Sequence, residues 1–134
     1  MPFDLSRAVV VFDLDDTLYQ EADYVESGVL HVCAQIKGLY GQDPYLALHR
    51  ARLKDPKADW LSLACELAGL PTAAKESLLW MYRLHQPDIR LSQSCSMALQ
   101  QIRSIASAVA VLTDGRSVTQ RLKLAVAAAT ATHP

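Results

Sequence analysis

Apolar positions change their spacing along this chain, and each change marks an element. Residues 8–14, AVVVFDL, are continuously apolar up to Asp13 and rich in β-branched side chains. Such a run predicts a parallel strand buried on both faces. From Glu21 to Tyr40 the period becomes helical. Val25, Val29, Val32/Cys33, Ile36 and Leu39/Tyr40 recur at three- and four-residue steps, and Gly41 stands where a helix would end. Asp43-Pro44 predicts a second helix to about Leu53, with Asp as N-cap and Pro at the first helical position. Asp59 is the expected cap of a third helix, WLSLACELA, stopped by Gly69. Thr72 is the expected cap of a fourth, running to about His85 and stopped by Pro87. A further helix is expected over Cys95–Ser104. AVAVLTDG (108–115) then repeats the opening logic, a short apolar strand ending in polar residues and a Gly. A last helix begins near Ser117 and runs into LAVAAATATHP.

The order is strand, four helices, helix, strand, helix. It predicts an α/β fold: a partial Rossmann-like parallel sheet core, incomplete, from residues 1–19 and 92–134, with an inserted four-helix cap over 20–91. In open α/β sheets ligands bind at the carboxyl ends of parallel strands. Both polar strand ends are of that kind, so Asp13 and Thr113 are expected to meet although they lie far apart in sequence.

Composition narrows the possibilities. Of 134 residues, 51% are apolar and 20% charged, which suits a folded domain with a core. A net charge of −1 without any Lys/Arg cluster argues against nucleic acid and against an anionic membrane surface. No stretch approaches the roughly 20 apolar residues of a membrane span, and the N-terminal apolar run is too short for a signal peptide. A cytoplasmic setting is expected, with Cys33, Cys65 and Cys95 as buried reduced thiols. His31, His49 and His85 show no ligand spacing and are expected at or partly below the surface. Trp60, Trp80, Tyr82 and Tyr24 fall at helical spacings and are expected in the core of the helical block or, for some of them, at the mouth of the site.

The acidic cluster is the candidate chemistry. One Asp at a strand end is usually a turn residue or a helix cap. Asp13, Asp15 and Asp16 together are harder to explain that way, because like charges this close repel, and partial burial raises the penalty. A cation relieves it. Mg²⁺ is commonly held by one or two carboxylates together with water and substrate phosphate. Asp13 and Asp15 are two apart, so an extended segment can point both to one side. One carboxylate can then attack while the other handles protons. Thr113, with the amides of Asp114 and Gly115, can supply donors to a transferring phosphoryl group, and Gly115 allows close backbone approach to an anion.

These residues resemble a known family. Asp13-Leu14-Asp15-Asp16-Thr17-Leu18 resembles the first motif of the haloacid dehalogenase-like superfamily, D-x-D-x-T-L after an apolar strand, and Val111-Leu112-Thr113-Asp114-Gly115 resembles its second. The helical block is similar to the family's inserted cap, and Pro87-Asp88-Ile89-Arg90-Leu91 to the return from cap to core. The resemblance implies Asp13 as nucleophile and Mg²⁺ ligand. It implies Asp15 as general acid/base with its backbone carbonyl on the metal, Thr113 and the Asp114 amide on the phosphoryl group, and Thr17 bracing the loop. An acid at position 15 implies phosphatase rather than dehalogenase chemistry. Asp16 needs no catalytic role. Arg116 is either an anion contact or a surface residue at a helix start.

The family's third motif is a Lys or Arg and its fourth an acidic pair. Lys123 lies within the predicted last helix, too early for the third, and no acidic residue follows it. A truncated or frame-shifted member, with AVAAATATHP as a non-native ending, is therefore expected, the rival reading being a genuine helix end in a minimal variant; self-association through the incomplete sheet edge is expected too. The leading expectation is a Mg²⁺-dependent phosphatase of a small phosphorylated metabolite, weak or inactive in this chain. The alternative is a non-catalytic binding or assembly module. A two-component receiver domain shares the acid-plus-Thr logic but fits the order of elements poorly.

Overall fold

A computed structural model describes residues 4–131 of the chain. After a short 3-10 turn, Leu5–Arg7, the elements are β1 (Val9–Phe12), α1 (Glu21–Tyr40), α2 (Tyr45–Lys54), α3 (Trp60–Leu67), α4 (Ala74–Leu84), α5 (Gln93–Ile105), β2 (Ala108–Val111) and α6 (Ser117–Ala131). The fold class is α/β, with a parallel strand pair and six α-helices among the described residues, as the hydropathy pattern predicts. The chain divides into two compact units. One runs to Tyr24 and resumes at Gln86; the other is Val25–His85. Among the described residues no helix is long and apolar enough to cross a membrane. Of the expected non-native ending, residues 132–134 lie outside the described residues.

In the first unit β1 and β2 pair in parallel, from Val9 opposite Ala108 to Phe12 opposite Val111. The ladder extends at both ends: Ser107 N donates to the Ala8 carbonyl (3.0 Å) and Leu112 N to the Phe12 carbonyl (2.9 Å). Ser92 starts α5, its hydroxyl accepting the Cys95 amide at 3.1 Å. Leu18, Leu91, Leu99, Val109, Leu124 and Ala127 line an apolar hollow of about 430 Å³ on this unit. The strand expected over 8–14 is shorter and is not buried on both faces. Val9 and Val11 are 59% and 56% exposed, whereas Val10 and Phe12 are partly covered. That alternation belongs to a strand covered on one face only.

The second unit carries its own core. Val29, Val32, Cys33 and Ile36 form one stripe of α1 and meet Leu48, Leu61, Ala64, Cys65 and Leu78 from α2, α3 and α4. Gly41 ends α1 with φ +76°, a conformation that favours a residue without Cβ. Asp59 caps α3 as expected, accepting the Ser62 amide at 3.3 Å. The Lys75 ammonium beside it pulls its carboxyl down to about 2. Two caps differ from expectation. Pro44 occupies the cap position of α2 while Asp43 accepts the Tyr45 amide at 3.1 Å. Thr72 caps nothing, because α4 begins at Ala74 after an uncapped Ala73.

Side-chain placement also corrects several readings. Trp80 is 47% exposed, with Arg83 over its ring, whereas Trp60 and Tyr82 pack edge to face against the core. Tyr24 is buried in the first unit instead of the helical core. His85 is 3% exposed, with one ring nitrogen on the Tyr82 carbonyl and the other 3.2 Å from the Ser27 hydroxyl. With both nitrogens partnered, an imidazole tolerates burial. Cys33 and Cys65 are buried free thiols, and burial pushes the Cys33 thiol up to about 11; Cys95 is only half-buried.

The α1–α4 core sets a stability contrast within one helix. Leu48 is fully buried and Leu46 is 68% exposed. Leu48→Ala is expected to cost about 2–5 kcal/mol, and Leu46→Ala to stay within about 0.5 kcal/mol; urea unfolding of the two variants measures the difference.

Candidate functional site

The sheet ends at Phe12, and the chain turns at once. Asp13 is exposed, with one carboxylate oxygen accepting the Leu14 amide at 2.9 Å. Leu14 is fully buried and anchors the turn, its carbonyl accepting the amides of Thr17 (3.3 Å) and Leu18 (3.0 Å). Thr17 thus joins the turn through its backbone while its side chain is exposed. Asp16 adopts φ +57°, a left-handed conformation that Asp tolerates better than most residues. Its carboxylate accepts the Glu21 amide at 2.8 Å and so caps the start of α1. Asp16 is therefore a structural residue of the loop.

At the end of β2 the chain turns in parallel fashion. Val11, Phe12, Asp13, Leu112, Thr113 and Asp114 line a cleft of about 500 Å³ at the carboxyl ends of the two strands. The Thr113 hydroxyl is buried there without a hydrogen-bond partner. An orphaned buried hydroxyl is costly unless a ligand or water completes it. The structure thus brings Asp13, Thr113 and Asp114 together. It does not bring Gly115 or Asp15 into the cleft lining. Gly115 has φ +133°, and the side-chain amide of Gln120 occupies the space a Cβ would need. Close packing by Gln120 leaves no room for a Cβ at this position. Arg116 is exposed and also lies outside the cleft lining.

Asp15 has a different environment. Its Oδ1 accepts from the Lys123 ammonium at 2.8 Å and from the Tyr19 hydroxyl. Burial pushes the Asp15 carboxyl up, but the Lys123 ammonium and the Tyr19 hydroxyl, with a further hydrogen bond from Gln120, outweigh it and hold the group below its ordinary value of 3.8. Burial and the neighbouring Asp15 anion push the Tyr19 hydroxyl well above the usual phenol range. Lys123 is 3% exposed, and its ammonium stands 4.0 Å from the Tyr24 ring centre and 5.9 Å from that of Tyr19. The sequence reading assigned Lys123 no place in the site. The helix expected around it does form, and it delivers the ammonium to Asp15. One signal was available: Gln120, Lys123 and Ala127 form the buried stripe of α6, and two of the three are polar.

Among the described residues no three His, Cys, Asp or Glu side chains converge as a metal-holding group. Mg²⁺ asks for less than that, because water and substrate phosphate complete its shell. An exposed Asp13 carboxylate beside the orphaned Thr113 hydroxyl fits a site of that minimal kind.

The Asp15 shift has a sign that can be checked. A carboxyl held lower in the folded than in the unfolded chain stabilises fully above its unfolded value, and the gain is lost as pH falls through the folded value. Acid unfolding followed by circular dichroism should therefore show a stability loss below about pH 3.8 that is smaller in Asp15→Asn.

No family model matches this chain, and no curated protein is found similar to it. Among solved structures, it is similar to a haloacid dehalogenase-like family hydrolase from Xanthomonas campestris. The two are 23% identical with a TM-score of 0.47, over 91% of this chain and 57% of that one. The chain thus spans a little over half the length of that hydrolase.

Proposed function

We propose that the chain is a haloacid dehalogenase-like phosphatase acting on a small phosphomonoester through an aspartyl-phosphate at Asp13, with Mg²⁺ as cofactor. The observation that carries this reading is the shared cleft: Asp13 and a buried, unpartnered Thr113 hydroxyl stand at the ends of two adjacent parallel strands. An Asp13 oxygen attacks phosphorus as the ester P–O bond breaks, and the leaving oxygen departs as an anion that solvent protonates. Water then attacks the same phosphorus, passes its proton to the Asp15 carboxylate and breaks the P–O bond to Asp13, releasing phosphate and a free Asp13 carboxylate. Thr113 donates its hydroxyl hydrogen to a phosphoryl oxygen, which satisfies the orphaned group. When bound, Mg²⁺ would supply charge neutralisation of the phosphoryl oxygens; Asp13 would hold it in the cleft, and the family resemblance adds the Asp15 backbone carbonyl as a second ligand.

Two features argue for slow turnover. Among the described residues no Lys or Arg lines the cleft, so these side chains leave phosphoryl charge uncompensated. The Lys123 ammonium also holds Asp15 as a carboxylate, which suits it to accept the proton of water better than to protonate a leaving group. Esters with good leaving groups are thus favoured. The free thiols of Cys33, Cys65 and Cys95 suit a reducing, cytoplasmic setting. Slow Mg²⁺-dependent hydrolysis of p-nitrophenyl phosphate is expected, falling at least about a thousandfold in Asp13→Asn, the scale on which losing a nucleophile acts. Hydrolysis that survives Asp13→Asn, or that ignores Mg²⁺, refutes the reading.

A specific observation favours a second reading, a non-catalytic assembly module. Val9, Val11 and Leu112 are 59%, 56% and 73% exposed on or beside the strand pair, an apolar surface that association would cover. On this reading, sedimentation velocity shows concentration-dependent association, which Val11→Lys weakens; a monomer at all concentrations rules it out.

A further inference from the structure

We propose that Lys123 is a positioning residue whose buried ammonium fixes the Asp15 carboxylate, while Gln120, on the same face of α6, fixes the loop that carries Thr113. The proposal rests on the phosphatase reading only in so far as Asp15 is the proton-handling group. Burying an ammonium costs several kcal/mol unless it is paired. The Lys123 side chain is 4% exposed, and its compensation is specific: the Asp15 carboxylate at 2.8 Å and the face of Tyr24. Solubility does not require a charge at this position, since Arg121 already supplies one on an exposed position of the same helix.

Gln120 works in parallel. It is 8% exposed, and its amide nitrogen donates to the Asp114 carbonyl at 3.0 Å. A three-residue step puts both side chains on one face of a helix. One face of α6 therefore touches both strand-end loops, at Asp15 and at Asp114. Without the ammonium, Asp15 loses its charged donor, keeps only the neutral Tyr19 hydroxyl and Gln120 amide, and is held less firmly in its rotamer. Asp13 and Thr113, which meet the phosphoryl group, are not touched. The loss is thus expected in kcat and not in KM.

The test uses the wild-type chain, Lys123→Met, Lys123→Arg, Asp15→Asn and the Asp15→Asn/Lys123→Met double variant, with p-nitrophenyl phosphate and Mg²⁺. Lys123→Met is expected to lower kcat about 10- to 100-fold, the range seen when a supporting partner of a site residue is removed. KM should stay within about twofold. Lys123→Arg should recover part of the rate, because it keeps the charge but not the ammonium's shape. The double variant should be no slower than Asp15→Asn alone, since the two side chains act as one unit. A rise in KM with kcat unmoved, or a double variant slowed by the full factor of both changes, overturns the proposal. Should Lys123→Met fail to fold, Lys123→Arg reads the same split on a smaller scale. If the wild-type chain shows no hydrolysis, the phosphatase reading fails and urea unfolding decides the positioning claim. Non-additive midpoints for Asp15→Asn and Lys123→Arg then support a fixed contact, and additive midpoints overturn it.

Discussion

The parallel ladder between β1 and β2 is the constraint on which the site depends. Its register pairs Phe12 with Val111, and one more backbone bond, from the Leu112 amide to the Phe12 carbonyl, holds the strands together where they end. Parallel strands run out on the same side, so Asp13 and Thr113 leave the sheet into one cleft. A one-residue slip would send one of the two to the opposite face, because strand side chains alternate with a period of two. The chemistry of the pair is therefore set by four residue pairs of backbone geometry before any side chain contributes.

Much of this was legible in the sequence, for reasons that differ by element. The stripe Val25, Val29, Val32/Cys33 and Ile36 announces α1 because a helix buries every third or fourth residue, and that rule needs no knowledge of the partner. Asp59 is legible as a cap because its bond to the Ser62 amide is local. Thr72 misled for the complementary reason: its capping chemistry was available, but the helix starts after Ala73. The two-sided burial expected of AVVVF also failed, since an apolar run records what a strand tolerates and not how many faces are covered. Val9 and Val11 remain open.

The electrostatic half of the site was the least legible. Asp13, Asp15 and Asp16 look alike in sequence, yet they end in three environments. Asp13 is exposed at the cleft, Asp15 sits beneath a buried ammonium, and Asp16 caps α1 from a left-handed backbone. The repulsion that a triple acidic cluster implies is thereby largely dispersed. One member is neutralised by Lys123 and one is placed at a helix N-terminus, where partial positive charge favours a carboxylate. Asp13 has neither a cationic partner nor a helix N-terminus among the described residues, and it is the member that shares the cleft with Thr113.

That division of labour explains why α6 has polar residues on its buried face. An ordinary surface helix would fill positions 120 and 123 with apolar side chains and gain their burial, about 25 cal/mol per Å² of apolar surface. Here Gln120 and Lys123 take those positions and contribute hydrogen bonds to Asp114 and Asp15 instead. Such exchanges are seldom the better choice for stability alone, because replacing a buried ion pair by well-packed apolar groups is often neutral or stabilising. Gly115 carries a related cost, since a residue with φ +133° gives up conformational freedom to make room for the Gln120 amide. A polar stripe, a glycine shaped to receive it and an acid loop that accepts its charge belong to one arrangement. What they hold in common is the geometry of the two strand ends.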